Sequence, residues 1–141
     1  MNTASLICGK KMFLVDSSIF IETIRRGEDP VQVYAAEFED STLITCGIVI
    51  CEVLRGIRDR QVFNRMEEFF SLLLAVEFDN ALWQTACRLA WELDRQGKVL
   101  PLSDILIATA ALQSNAIIVS TDKHFFTIPD LKVTRELHPS S

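Results

Sequence analysis

The stretch Met12-Phe13-Leu14-Val15-Asp16-Ser17-Ser18-Ile19-Phe20 decides the fold. Its four leading apolar residues suit a short buried strand, and the residues after Asp16 take up helical spacing that continues to Arg26. The same alternation returns downstream. Thr42 to Cys46 reads as a strand followed by a helix from Gly47 to Asp59, and Ile117 to Ser120 reads as a strand preceded by a helix that ends near Asn115. Strands separated by helices imply a mostly parallel sheet covered on both faces.

The remaining segments fill in this α/β pattern. Gly27 to Pro30 breaks the first helix, and Pro30 suits the opening of a second one, Val31 to Glu39. Gln61 to Leu74 is predicted helical, with Phe63, Met66, Phe69, Phe70 and Leu73 forming a core stripe. Ala75 to Phe78 is a short strand candidate. Asp79 or Asn80 caps a long helix that stops near Gly97, Ser103 reads as the N-cap of the helix to Asn115, and Leu131 to Thr134 reads as a last edge strand.

With 141 residues and 49% hydrophobic content, the chain can bury the core of one domain. Its longest apolar run, Leu43 to Cys51, is about half of the roughly 20 residues that a membrane span requires. Lys10 and Lys11 follow the weakly apolar Leu6-Ile7-Cys8, the reverse of the order in a secretory signal, so secretion is not expected. Cys8, Cys46, Cys51 and Cys87 form no C-x-x-C pair and read as reduced thiols in the cytoplasm. The net charge of −5 argues against nonspecific binding to a polyanion. Locally, Arg25, Arg26, Arg55, Arg58, Arg60 and Arg65 gather 6 of the 14 basic residues near two segment ends, where solvated helix termini account for them as well as phosphate contacts do.

Four acids stand where apolar segments end or turn: Asp16, Glu52, Asp104 and Asp122. Asp16 and Asp122 follow strands, and the carboxyl ends of strands are where sites form in open α/β sheets. Asp16 and Asp104 also suit helix amino ends, and Asp122 suits a turn; Glu52, in Gly47-Ile48-Val49-Ile50-Cys51-Glu52-Val53-Leu54, has no such local explanation. Two carboxylates about 4 Å apart repel by roughly 4 kcal/mol at an effective dielectric near 20, so a cluster of four calls for a cation. Mg²⁺ or Mn²⁺ suits such oxygen donors, and the resulting chemistry is phosphodiester hydrolysis. On their helices Asp104 shares a face with Ala108 and Ala111, and Glu52 with Ile48 and Gly56. Ser18 and Ser120 are spaced to orient carboxylates or to cap local backbone, and His124 is a candidate outer group beside the metal or an incidental surface histidine.

The pieces Phe-Leu-Val-Asp16-Ser-Ser18, Cys-Glu52-Val-Leu-Arg-Gly56, Asp104-Ile-Leu-Ile-Ala-Thr-Ala-Ala and Ile-Val-Ser120-Thr-Asp122-Lys-His-Phe, in that order, resemble the PIN-domain ribonucleases, above all the VapC-type toxins of toxin-antitoxin pairs. The resemblance covers about Met12 to Thr134. It implies a three-layer α/β/α sandwich, with Asp16, Glu52, Asp104 and Asp122 as the catalytic Mg²⁺ or Mn²⁺ site and Ser18 and Ser120 at its hydroxyl positions. It further implies single-stranded or loop RNA as substrate, a homodimer, and a VapB-like antitoxin whose segment covers the acidic pocket. On this reading residues 1–11 are an N-terminal extension, 12–136 the PIN-like nuclease domain and 137–141 a frayed tail. The chain departs from the family pattern at His124, where a second acid often stands, which is expected to weaken a second metal position.

Other readings have less support. A haloacid-dehalogenase-like phosphatase needs a second aspartate where Asp16-Ser-Ser has none, and a receiver needs an aspartate after its central strand, where Thr42 to Cys46 is followed by Gly47. No G-x-x-x-x-G-K-[ST] or G-x-G-x-x-G loop is present. A catalytically silent PIN-like module that only binds a partner or RNA remains the alternative from another class.

Overall fold

The computed structural model describes residues 10–37 and 41–135. Five strands, β1 (Met12–Val15), β2 (Thr42–Cys46), β3 (Leu74–Val76), β4 (Ile117–Val119) and β5 (Lys132–Thr134), form one sheet in the order β3-β2-β1-β4-β5. Every neighbouring pair is parallel, with Leu14 opposite Ile44 on one side and Ile118 on the other. The helices are α1 (Ser17–Arg25), α2 (Pro30–Glu37), α3 (Gly47–Arg55), α4 (Arg60–Ser71), α5 (Asn80–Arg95) and α6 (Leu102–Ser114).

The strand order runs outward from β1 in both directions. Right-handed crossovers therefore place α1 to α4 on one face and α5 with α6 on the other. Helix packing pairs α1 with α2 and α3, α4 with α2 and α3, and α5 with α6, and α3 also meets α6. The result is the α/β/α sandwich expected from the sequence. Between β1 and β4, whose crossovers leave in opposite directions, lies the topological switch point at which open α/β sheets form crevices.

Burial explains why these segments became these elements. Phe13, Leu14 and Val15 are at most 2% exposed, as the central strand of a sheet covered on both faces requires. On one side Phe20 packs edge-on to Tyr34 at 4.7 Å and to Phe70 at 5.3 Å between centroids, tying α1 to α2 and α4. Thr23 Oγ donates to the Ile19 carbonyl at 2.9 Å, so the Tyr34 hydroxyl, 3.0 Å away, donates to Thr23 and is satisfied inside the core. On the other side α6 is buried continuously from Ile105 to Ala111, the property of a helix enclosed all round.

Several boundaries move from their sequence expectations. α3 stops at Arg55 rather than Asp59, because Asp59 instead caps α4 by accepting from the Val62 N–H at 3.0 Å. β3 starts at Leu74, one residue early, and α4 correspondingly ends at Ser71. Ser103 is not an N-cap: Pro101 holds that place and Ser103 lies within the first turn of α6. Asn115 closes α6 in the left-handed region, φ 53°, and the Ala116 N–H reaches back to the Ala111 carbonyl at 2.9 Å. A short 3₁₀ turn, Phe125–Thr127, has no counterpart in the sequence reading. The expected end of α2 at Glu39 and the tail after Glu136 lie outside the described residues, as does most of the N-terminal extension. Among the described residues, no helix is long and apolar enough to cross a membrane.

Phe20 is 1% exposed at the centre of this aromatic group. Phe20→Ala is expected to cost about 3–5 kcal/mol, read as a lowered urea midpoint with little change in slope.

Candidate metal centre

Asp16 stands immediately after β1, and its backbone N–H continues the sheet ladder by donating to the Val119 carbonyl at 2.9 Å. Its side chain is the N-cap of α1, with Oδ1 accepting from the Ser17 N–H at 2.8 Å. Oδ2 accepts from two hydroxyls, Ser18 at 2.8 Å and Ser120 at 2.9 Å. A carboxylate that is only 4% exposed is thus held by three donors from two distant parts of the chain. Asp16 does cap α1, through Oδ1, while Oδ2 faces the hydroxyl pair.

Ser120 passes the constraint onward. Its backbone N–H donates to the Thr134 carbonyl at 3.0 Å, fixing the end of β4 against β5. Its hydroxyl also accepts from the Asp122 N–H at 3.0 Å, so one oxygen positions both Asp16 and Asp122. Asp122 Oδ1 in turn accepts from the His124 N–H at 2.9 Å, an Asx-type turn that swings the imidazole back toward α6. There Nδ1 meets Asp104 Oδ2 at 2.8 Å and Asp122 Oδ1 at 3.2 Å. Both neighbours are acceptors when ionised, so Nδ1 carries the proton.

Glu52 arrives from the middle of α3. The Ser17 hydroxyl donates to Glu52 Oε1 at 3.3 Å and lies 3.5 Å from Asp16 Oδ1, so it sits between the two carboxylates. Sequence reasoning did not single out Ser17. The signal was its place at the first turn of a helix directly after a capping aspartate, where the side chain lies over the cap.

The electrostatics report a strained cluster. Burial pushes the Glu52 carboxyl above its ordinary value; the Ser17 hydrogen bond opposes this, and the charges of Asp16 and Asp104 add to it. Burial likewise raises Asp104, opposed by the His124 hydrogen bond and increased by Asp122 and Asp16. Glu52 therefore lies within the field of Asp16 and Asp104, and Asp104 within that of Asp122 and Asp16. The structure gathers Asp104, Asp122 and His124 most tightly, with one potential ligand atom from each within 4.8 Å of the others. Asp16 and Glu52 adjoin this trio rather than belonging to it, coupled to it through Ser17, Ser120 and the shared field.

This donor set fits a hard divalent cation. Carboxylate oxygens dominate, and the raised carboxyls are groups whose ionised forms a cation would stabilise. His124 is not incidental here, for it bridges two of the four acids. Of the six arginines singled out, two are engaged by carboxylates of their own: Arg26 bonds Glu22 at 2.7 Å and Arg65 bonds Asp29, whose carboxyl it holds below the usual range. Arg55 acts on Glu52 as a nearby positive charge.

A profile of the PIN domain matches residues 13–131. The chain belongs to the PIN domain family. Among PIN-related proteins, ribonuclease VapC2 of Rickettsia felis is 26% identical over 129 residues, spanning 85% of this chain and 94% of that protein. The fold is shared with a chain of VapBC2 from Rickettsia felis bound to a promoter DNA fragment, at TM-score 0.73 and 23% identity over 87% of this chain and 97% of that one. It is shared equally with a chain of DNA-bound VapBC from Salmonella typhimurium, at TM-score 0.71 and 20% identity over 88% and 97%.

The raised carboxyls give a signed pH effect. For an acid whose pKa is higher in the folded state, folding is favoured while both states are protonated, and that advantage is lost as pH rises through the folded pKa. Glu52→Gln is therefore expected to raise the melting temperature in EDTA at pH 7, with the gain over wild type shrinking as pH falls toward 4.5, the ordinary glutamate value. Paired thermal melts across that range measure it.

Proposed function

We propose that this PIN domain is a metal-dependent endoribonuclease and the toxin of a VapBC-type toxin-antitoxin pair. The observation that carries the reading is the acidic cluster at the β1/β4 switch point, built from Asp16, Glu52, Asp104 and Asp122 and braced by hydroxyls. Similarity to ribonuclease VapC2 supports the RNA substrate.

In this proposal Asp16, Glu52, Asp104 and Asp122 would hold Mg²⁺ or Mn²⁺. When bound, the ion supplies a more acidic water and a counter-charge for the scissile phosphate. The overall reaction adds a water oxygen to phosphorus, breaks the bond from phosphorus to the leaving ribose oxygen, and delivers a proton to that oxygen. The protein's own groups set the geometry. Ser18 and Ser120 fix Asp16 Oδ2, Ser17 sits between Asp16 and Glu52, and His124 bridges Asp104 and Asp122 through Nδ1–H. His124 thereby occupies space that a further acid would use, which favours a single tight ion over two.

The partners follow the same reading. A VapB-like antitoxin segment covers the acidic pocket in the cytoplasm, supported by the VapBC assemblies whose chains share this fold. A second copy of the chain completes a homodimer and covers exposed apolar side chains such as Leu72 and Trp83.

Wild-type protein is expected to cleave single-stranded regions of a mixed RNA pool in Mn²⁺ and to stop in EDTA. Asp104→Asn should lower the rate by at least about 100-fold, and Ser120→Ala, which touches only the support of Asp16 and Asp122, by about 10-fold. Retention of wild-type cleavage in Asp104→Asn would refute the assignment and favour a silent binding module. Light scattering at high concentration checks the dimer, and a monomer mass would exclude it.

A further inference from the structure

The acidic cluster leaves open how the chain holds RNA beside it. Phe126 is 44% exposed although its neighbour Phe125 is wholly buried. The 3₁₀ turn that carries both begins directly after His124, the residue that touches Asp104 and Asp122. Phe126 lies two residues after His124, so their Cα atoms are at most about 7 Å apart. The turn is fixed as well as close: Phe125 anchors it in the core, the Phe126 N–H donates to the Lys123 carbonyl at 3.2 Å, and Lys98 Nζ donates to the Thr127 carbonyl at 3.1 Å.

Arg135 reaches the same place from the sheet. It follows Thr134, whose carbonyl receives the Ser120 N–H, and its guanidinium carbon lies 4.6 Å from the centre of the Phe126 ring. Two segments that help form the carboxylate site thus meet in an exposed aromatic ring with a cation laid over it. A guanidinium held by its face against a ring keeps its edge N–H groups directed outward, where they match phosphate oxygens. Exposed aromatic rings stack bases regardless of sequence.

We propose that Phe126 and Arg135 form a nucleotide platform flanking the scissile position. The open part of the Phe126 ring stacks one base of a single-stranded RNA, and Arg135 donates to the adjoining phosphate. The proposal rests on the RNA reading above. It also answers a problem of charge, because a chain with net charge −5 needs a local cation beside its acidic pocket to retain a polyanion. Arg26 and Arg65, committed to Glu22 and Asp29, are poorly placed for that task.

The test compares binding of a short fluorescent single-stranded RNA of mixed sequence with its abasic ribose-phosphate counterpart, both in EDTA so that the RNA stays intact. Wild type should prefer the base-bearing strand by roughly 5- to 150-fold, the range for one stacked base. Phe126→Ala should abolish that preference and Phe126→Trp should keep it. Arg135→Ala should weaken both strands, whereas Lys132→Ala, at the opposite end of β5, should weaken neither. Base preference surviving in Phe126→Ala, absence of any preference in wild type, or equal losses from Lys132→Ala and Arg135→Ala would each overturn the platform. Cleavage of long RNA in Mn²⁺ by wild type and Asp16→Asn, run alongside, reads the nuclease separately, so failure of one is not mistaken for failure of the other.

Discussion

A buried carboxylate is tolerable only where donors surround it, and Asp16 is the point at which this chain meets that condition. Its three hydrogen bonds come from the first turn of α1 and from the loop after β4. Satisfying Asp16 therefore obliges β1 and β4 to lie side by side with their carboxyl ends level, which is the register observed. The switch point of the sheet, the start of α1 and the position of Asp122 all depend on that one side chain. The requirement that keeps the acid inside the protein also draws the hydroxyls of Ser18 and Ser120 around it.

The cluster sets fold and function against each other. Glu52 and Asp104 carry raised pKa values because burial and neighbouring charges disfavour their ionised forms. A protein selected for stability alone would replace one of them. What allows the arrangement to stand is hydrogen-bond bracing: Ser17 between Asp16 and Glu52, Ser120 between Asp16 and Asp122, and His124 between Asp104 and Asp122. Each brace lowers repulsion locally without cancelling the negative field of the pocket, and the aromatic core beneath α1 supplies stability that the cluster does not.

Much of this was legible in the residues. Met12 to Val15 and Thr42 to Cys46 are apolar runs of strand length, and their bounds are those of β1 and β2. The four acids stood out because apolar sequence surrounds them, and the same burial raises Glu52 and Asp104. Helix ends were less legible. Ser103 has the chemistry of a cap but lies inside α6, because the chain turns two residues earlier at Pro101, whose extended geometry starts the helix without a side-chain bond. Ser17 was missed, and His124 was left between a metal-side and an incidental role, for a different reason. Their importance lies in contacts 35 and 20 residues away in sequence, and no local periodicity carries that information. The Arg135–Phe126 contact is hidden in the same way, since it joins a strand end to a turn.

The Ser120 to Asp16 bond spans 104 positions of the chain. Its consequence is temporal. While a ribosome is still making the protein, β1 and Asp16 emerge 104 positions before the hydroxyl that fixes them. The centre of the sheet stays open until β4 inserts beside β1 and β5 closes the edge. A nascent chain therefore carries its acids unassembled until β4 brings the far half of the cluster into place.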